Sequence, residues 1–130
     1  MNIGPVTVCY GPAMPGHHTV DFFEIPVLDM AGAKAFYGAA FGWTFKDWGT
    51  DYADIQGAGL SGGLRLVQAP PTTGGPLVIL YSDDLGASER SVTAAGATLV
   101  ARHEFPGGKR FHFVDPSGSE LAVWTKVSGE

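Results

Sequence analysis

A pattern of strand, aspartate, amphipathic helix and glycine occurs twice in the chain, over residues 22–43 and again over residues 76–98. Both copies begin with strand-like residues and continue with apolar residues at helical spacing. An aspartate stands at each helix N-cap and a glycine follows each helix, namely Asp29 and Gly42 in the first copy and Asp84 and Gly96 in the second. A repeat of about half the chain length predicts two copies of one supersecondary unit.

Three further stretches with strand character follow each helix, so the sequence predicts a βαβββ arrangement in each half and an α+β fold class. Residues 69–75, APPTTGG, are predicted to form a linker between the halves. We therefore divide the chain into an N-terminal extension (1–20), a first module (21–68), the linker and a second module (76–126). The extension is rich in Gly and Pro and contains a short candidate strand at residues 6–10.

Composition and charge argue against several classes of function. The formal net charge is −5 and Lys and Arg form no cluster, whereas nucleic-acid binding requires several phosphate contacts. The N-terminus lacks the charged and apolar regions of a signal peptide, and no apolar run approaches the ~20 residues of a membrane-spanning helix. Cys9 is the single cysteine, so we expect neither an internal disulfide nor a nucleophilic thiol. We therefore expect the protein to be cytoplasmic and to contact neither membranes nor nucleic acid.

Several segments together resemble the vicinal oxygen chelate superfamily, which includes glyoxalase I, extradiol dioxygenases and fosfomycin and bleomycin resistance proteins. They are IPVLD and AFYGAAFGW in the first half, and SDDL, GGKRFHFVDPSG and LAVW in the second, covering about residues 22–125. The similarity is greatest to the branch related to lactoylglutathione lyase. It implies two tandem βαβββ modules forming an open, curled, barrel-like mixed sheet, with helices on the convex side and a ligand on the concave side. It also implies a homodimer and a lyase- or dioxygenase-related activity.

The same resemblance implies a divalent metal held by His and Glu side chains. Three of the family's metal positions fall on Phe22, Leu77 and Ala122, and the fourth belongs to the strand around residues 60–66, which contains no His, Asp or Glu. The side chains of Phe22, Leu77 and Ala122 cannot donate a lone pair to a metal ion. By the family pattern, therefore, no residue is expected to be a metal ligand.

Strand alternation extends the family positions to their neighbours, because residues two apart on a strand share one face. Phe111 and Phe113 suit the helix-covered side, which leaves the residues between and before them for the cavity. The candidate cavity residues are Phe22, Glu24, Tyr81, Arg110, His112, Glu120 and Trp124. Two carboxylates, an imidazole, a guanidinium and aromatic surfaces predict a site for a small polar organic molecule.

Two functional hypotheses follow from these residues. In an enzyme, Glu24 would act as general base and His112 as general acid, or Glu24, His112 and Glu120 would hold a divalent metal at a shifted site. In a metal-free binding or sequestration protein, the ligand would contact the side chains of Phe22, Tyr81, Arg110, Glu120 and Trp124. An accessory domain with a filled barrel is a third interpretation.

Each residue also has a purely structural interpretation. Glu24 would be an ion-pair partner of Arg110, and His112 a hydrogen-bonded core residue. His17 and His18 are adjacent, so on a strand they would point to opposite faces, which argues against a shared metal site. Three aspartates are interpreted as caps or turn residues without a catalytic role, namely Asp29, Asp84 and Asp115.

Overall fold

The computed structural model describes residues 16–127 and has the α+β architecture that the repeat predicts. The elements, in chain order, are β1 (Phe22–Val27), α1 (Met30–Phe41), β2 (Thr44–Asp47), β3 (Tyr52–Gln56), β4 (Ser61–Leu66), β5 (Val78–Tyr81), α2 (Leu85–Ala95), β6 (Thr98–Phe105), β7 (Gly108–Val114) and β8 (Glu120–Lys126). Each half is therefore βαβββ. The candidate strand at residues 6–10, together with Cys9, lies outside the described residues.

The strands form two four-stranded mixed sheets with equivalent topology, in the orders β1-β4-β3-β2 and β5-β8-β7-β6. In each sheet the first and last strands of the module pair in parallel, and the other pairs are antiparallel. The helices α1 and α2 pack against each other and cover one face of the sheets. We call the opposite face of each sheet its open face. Within residues 16–127, neither helix combines the length and apolarity needed to cross a membrane.

The helix boundaries follow the predicted signals with one exception. Gly42 and Gly96 end the helices with positive φ angles of 75° and 116°, a conformation that glycine adopts without strain. The Asp84 carboxylate accepts a hydrogen bond from the Ala87 N–H at 3.1 Å, as predicted. The prediction was wrong for the carboxylate of Asp29, which makes no capping hydrogen bond among the described residues. It lies instead against Gly32, where an added Cβ would be 2.7 Å from Asp29 Oδ2.

The core lies between the helices and the covered faces of both sheets. Its fully buried side chains come from both modules and from α1 and α2, and the largest are Tyr37, Phe111, Phe113, Leu64, Leu121, Val27, Val92 and Val123. Tyr37 stacks on Trp43 with ring centroids 5.1 Å apart, and Phe36 contacts Phe113 at 6.1 Å. The Tyr37–Trp43 pair lies within the first module, whereas the contact of Phe36 with Phe113 joins the first module to the second through dispersion and apolar burial.

A buried aspartate in the turn between β7 and β8 joins the two modules by hydrogen bonds. Asp115 Oδ1 accepts the backbone N–H groups of the turn residues Ser117, Gly118 and Ser119, at 3.0, 2.9 and 2.9 Å. Asp115 Oδ2 accepts the phenol of Tyr37 at 2.6 Å. Burial, followed by the charge of the Asp115 carboxylate, raises the pKa of Tyr37 well above its usual value.

The same turn also binds the end of β1. The Leu28 N–H donates to Ser117 Oγ at 2.9 Å, and Ser119 Oγ donates to the Pro26 carbonyl at 3.4 Å. We call residues 115–119 the junction turn. Because the hydrogen-bonded strand ladders stay within each sheet across the described residues, the junction turn supplies polar contacts that fix one module against the other.

Replacing the aspartate of the junction turn should destabilise the whole fold. Asp115→Ala leaves the backbone N–H groups of Ser117 and Ser119 and the Tyr37 hydroxyl without their acceptor, so we expect a loss of about 3 kcal/mol in the free energy of unfolding. The Gly118 N–H keeps an acceptor, because it also donates to the backbone carbonyl of residue 115 at 3.0 Å. Chemical denaturation measures this loss. The matched control is Asp21→Ala, since Asp21 is exposed, and a loss no larger than in that control would contradict the role given to Asp115.

Candidate functional site

The strand register arranges the open face of the second sheet in rows that run across the strands. One row consists of Cα partners from β5, β8, β7 and β6, namely Tyr81, Trp124, Arg110 and His103. The next row consists of Ile79, Ala122, His112 and Ala101. The alternation predicted for β5, β7 and β8 is therefore present, and Phe111 and Phe113 lie on the opposite, helix-covered face with no exposed surface.

The first row carries an exposed aromatic surface. Tyr81 is 46% exposed and contacts Trp124 edge-on, with ring centroids 5.1 Å apart. Phe105, at the end of β6, is 39% exposed and lies 6.3 Å from Trp124. We call Tyr81, Phe105 and Trp124 the aromatic platform. Aromatic groups left in contact with solvent on a sheet face are typical of surfaces that bind another molecule.

In the second row, a histidine lies between two alanines. The His112 side chain is flanked by Ala101 and Ala122 and is 7% exposed. His112 Nδ1 lies 2.8 Å from Glu120 Oε2, and because an ionised carboxylate can only accept, Nδ1 donates this hydrogen bond. The ring of His103 packs edge-on against the His112 ring, with centroids 5.2 Å apart.

Two buried polar atoms on this face lack hydrogen bonds. Within the described part of the chain, neither His112 Nε2 nor Arg110 Nε has a hydrogen-bond partner. A buried polar atom without a partner costs about 1–3 kcal/mol and is uncommon in native proteins. The two residues stand two positions apart on β7 and share its open face. We call Arg110 and His112 the polar pair, and its unmet hydrogen-bonding capacity is a property that a bound ligand would satisfy.

On the first sheet, by contrast, the polar groups satisfy one another. Tyr52 Oη donates to Glu24 Oε2 at 2.9 Å, and Arg65 Nε donates to Glu24 Oε1 at 3.2 Å. The predicted ion pair between Glu24 and Arg110 was therefore wrong, because Arg65 is on the adjacent strand β4 of the same sheet. Burial and the hydrogen bond to Glu24 raise the pKa of Tyr52 to about 12.

A glycine makes this arrangement of Glu24 and Tyr52 sterically feasible. Gly63 is the Cα partner of Glu24 on β4, and an added Cβ there would collide with the Tyr52 hydroxyl. The absence of a side chain lets the tyrosine ring cross β4 and reach the carboxylate on β1. The glycines of β4 are thus explained by the close approach of aromatic rings, since Gly62 likewise lies against the ring of Phe23.

Two cavities lie where the sheets meet. The first, of about 380 Å³, brings together Glu24 and Glu120 under the connecting segment of residues 71–76. The second, of about 710 Å³, is mainly apolar and is lined from both modules, by Val20, Phe23, Phe41, Trp43, residues 57–60 and residues 77–81. The predicted site residues thus fall into separate groups: Glu120 lies beside His112, whereas Glu24 is held by Arg65 and Tyr52.

Comparison with known proteins agrees with this architecture. Residues 19–58 match the sequence model of the bleomycin resistance protein-like N-terminal family. A solved glyoxalase/bleomycin resistance protein/dioxygenase family enzyme from Burkholderia phytofirmans superposes with a TM-score of 0.69 at 20% identity, covering 83% of this chain and 100% of that chain. The chain has the vicinal oxygen chelate fold. The resemblance predicted from the sequence is confirmed at the level of the fold.

Two further solved structures have a similar fold. A mutant of the fosfomycin resistance protein FosX from Listeria monocytogenes, complexed with Mn(II) and a dihydroxypropylphosphonic acid, superposes with a TM-score of 0.72 at 13% identity, covering 83% of this chain and 90% of that chain. TioX from a Micromonospora species superposes with a TM-score of 0.64 at 21% identity, covering 84% and 99%. No curated protein matches the sequence significantly.

The residues present do not fit the metal site expected of a vicinal oxygen chelate enzyme. Phe22 and Ala122 lie on the strands β1 and β8, Leu77 precedes β5, and none carries a ligand atom. Among residues 16–127, no three His, Cys, Asp or Glu side chains are grouped so that they could hold a metal ion. The proposed shifted set of Glu24, His112 and Glu120 is thus not assembled as a ligand group.

His17 and His18 stack on each other, with ring centroids 3.8 Å apart.

Sequence reasoning missed the contribution of β6 to the site. A bulge between Leu99 and Ala101 shifts the register of β6, so alternation counted from the start of the strand assigns His103 to the wrong face. Counting back from the hairpin instead pairs Phe105 with Gly108 and His103 with Arg110. The tight turn at residues 106–107 was therefore the signal that could have identified both residues.

Adding a methyl group at Gly63 should separate Tyr52 from Glu24. In Gly63→Ala the new Cβ displaces the Tyr52 hydroxyl, so the pKa of Tyr52 should fall from about 12 towards the ordinary value of about 10. An NMR titration of labelled tyrosine measures this shift. Gly75→Ala is the control, because an added Cβ there meets no described atom within 4 Å. An unchanged Tyr52 titration in Gly63→Ala would contradict the proposed contact.

Proposed function

We propose that the protein binds a small organic molecule on the open face of its second sheet, without the metal site of related enzymes. The observation that carries this proposal is that, among the described residues, the buried atoms Arg110 Nε and His112 Nε2 have no hydrogen-bond partner and belong to residues beside an exposed aromatic platform. Arg110 is the Cα partner of Trp124, so the polar and aromatic surfaces are adjacent. A few convergent polar groups next to apolar surface are characteristic of small-molecule sites.

The open face of the first sheet has a different role in this proposal. Both carboxylate oxygens of Glu24 already accept hydrogen bonds, from Tyr52 and Arg65, so this residue has less capacity left for a ligand or for proton transfer. We infer that Glu24 shapes one wall of the 380 Å³ cavity that it shares with Glu120. Phe22 is 43% exposed at the start of β1 and stays a candidate contact.

The fold by itself does not select the ligand, because one fold supports many functions. Fosfomycin resistance proteins, TioX and glyoxalase-related enzymes share the architecture at 13–21% identity, which supports only the fold. The resemblance also leads us to expect a homodimer in the cytoplasm. Sedimentation analysis of the full chain measures the first of these expectations.

Removing one ring of the aromatic platform should weaken ligand binding. A fragment library screened by ligand-observed NMR should give hits whose affinity falls about tenfold or more in Tyr81→Ala, because the exposed ring provides stacking area. Trp48→Ala is the matched control, since Trp48 is also exposed but belongs to the first module. The screen is repeated after treatment with a chelator.

Three outcomes of this screen are informative. Hits that survive chelation and depend on Tyr81 but not on Trp48 support the proposal. Hits that disappear on chelation, or that respond to Trp48 instead, overturn it. The absence of hits with the full-length folded protein would also count against binding on this face, because aromatic platforms readily bind weak fragments.

The hydrogen bond between His112 and Glu120 favours a second candidate function, which is acid–base catalysis without a metal. Glu120 holds Nδ1 of His112 as a donor and so leaves Nε2 to exchange a proton with a bound substrate. His112 would then be the catalytic residue and Glu120 a positioning residue. This differs from the sequence hypothesis, in which Glu24 was the general base.

Removing the charge of Glu120 distinguishes catalysis from binding alone. If the protein is an enzyme, Glu120→Gln should lower kcat by about 10²-fold while the KM changes little, because the carboxylate orients the imidazole. Turnover of candidate substrates, taken from the fragment hits, is followed by NMR. A binding protein would form no product in either the wild type or the variant, and Glu24→Gln is the control for loss of one carboxylate charge.

A further inference from the structure

We propose that the bound molecule is a planar aromatic acid, whose ring lies on the aromatic platform and whose anionic oxygen accepts hydrogen bonds from the polar pair. This assignment rests on the proposed binding function and specifies the chemical class of its ligand. It follows from the donor and acceptor properties of three side chains, Arg110, His112 and Glu120, and from their positions relative to Trp124.

The charge of Arg110 determines that the group bound next to it should be negatively charged. Every N–H of a guanidinium is a donor, and Arg is charged at all physiological pH values. The buried Nε of Arg110 therefore requires an acceptor, and an anionic oxygen is the acceptor that compensates its charge as well. A cationic ligand would be repelled here, and a neutral carbonyl would satisfy only the hydrogen bond.

The histidine can serve the same acceptor. With Nδ1 bonded to Glu120, His112 in its protonated form donates from Nε2 to a second carboxylate on the opposite side of the ring. The four groups then balance, since Arg110 and His112 carry the positive charges and Glu120 and the ligand carry the negative ones. The only further titratable neighbour from β6 that packs on the His112 ring in the described structure is His103, which adds no negative charge.

We expect the acid to be aromatic because the aromatic platform lies next to the hydrogen-bond donors. Trp124 is the Cα partner of Arg110 on one side and of Tyr81 on the other, so the donors lie at the border of the ring surface. Arg110 and His112 are about 7 Å apart along β7, and their side chains can converge on a single carboxylate. A flat ring in contact with Trp124 and Tyr81, whose rings are inclined at 72° to each other, can thus place its substituent next to the polar pair.

The acidic residues near the site could instead suggest a cationic ligand, since Glu24 and Glu120 share a cavity. Both carboxylates are already paired, however, Glu24 with Arg65 and Tyr52, and Glu120 with His112. The unpaired atoms are those of a guanidinium and an imidazole. The balance of unmet hydrogen-bonding capacity therefore favours an anion.

A series of four probes with one ring system tests the assignment by calorimetry on the full chain. The probes are 2-naphthoate, 2-naphthol, 2-naphthamide and 2-naphthylmethylammonium, which share a flat ring but differ in the charge of the substituent. We expect naphthoate to bind about tenfold or more tightly than the neutral amide, and the ammonium compound to bind most weakly. Naphthol is uncharged at neutral pH, so binding as tight as that of naphthoate would contradict the requirement for an anionic oxygen.

Two charge variants localise the effect. In Arg110→Gln, naphthoate should lose about tenfold in affinity while naphthamide changes little, because only the acid uses the guanidinium charge. The matched control is Lys109→Gln, which removes the same charge from the adjacent, exposed position on the other face of β7. Unfolding midpoints of both variants check that the fold is retained, and Arg110→Lys serves as a second test if Arg110→Gln does not fold.

The outcomes separate this assignment from the proposed function. Equal binding of acid and amide, lost in Tyr81→Ala, overturns the acid while retaining the binding face. Tightest binding of the ammonium compound also overturns the acid and points to the carboxylates. If no probe binds at millimolar concentration, the acid assignment fails, and the fragment screen then decides whether binding on this face fails with it.

Discussion

The buried carboxylate of Asp115 is the contact on which the relative placement of the two modules depends. It accepts three backbone donors of its own turn and the phenol of Tyr37 from the other module. Buried hydrogen bonds to a charged group are among the stronger ones, and removing the acceptor leaves several donors unpaired. Because the strand ladders do not cross between the sheets in residues 16–127, apolar packing and the junction turn together hold the modules.

This contact also lies next to the candidate site in the chain. The junction turn connects β7, which carries the polar pair, to β8, which begins with Glu120 and continues to Trp124. Any displacement of the turn would therefore alter the register between β7 and β8, and with it the distance from His112 to Glu120. The stability of the fold and the geometry of the site are coupled through one short segment.

The two modules have equivalent topology but differ in how far the polar side chains on their open faces are hydrogen-bonded. In the first, Glu24, Tyr52 and Arg65 form a closed hydrogen-bonded group, which Gly63 permits by leaving space for the tyrosine ring. In the second, the buried atoms Arg110 Nε and His112 Nε2 have no partner among residues 16–127. With two copies of one module, the polar groups of one open face can thus be fully hydrogen-bonded while those of the other keep unused hydrogen-bonding capacity.

Much of this could be predicted from the sequence, because period-two and helical patterns are local. The repeat gave two βαβββ units, and alternation assigned the faces of Glu24, Arg110 and Trp124 as observed. Alternation predicts which face a side chain lies on, but it does not predict which neighbouring side chain it contacts. The pairing of Glu24 with Arg65, and the position of the Asp29 carboxylate against Gly32, depend on distances between strands and on local rotamers that the pattern leaves open.

The bulge in β6 has a consequence for how this edge of the second sheet can pair with other chains. Val100 is the extra residue of the bulge and has no Cα partner on β7. The residues of β6 on either side of it keep the orientation that their partners on β7 impose. Loss of Val100 would leave His103 and Phe105 facing the same way but would straighten the outermost strand of the second sheet. A straight, regular edge is a template for pairing with another chain. The extra residue therefore makes this edge a poorer template for such pairing, while the orientation of His103 and Phe105 stays independent of it.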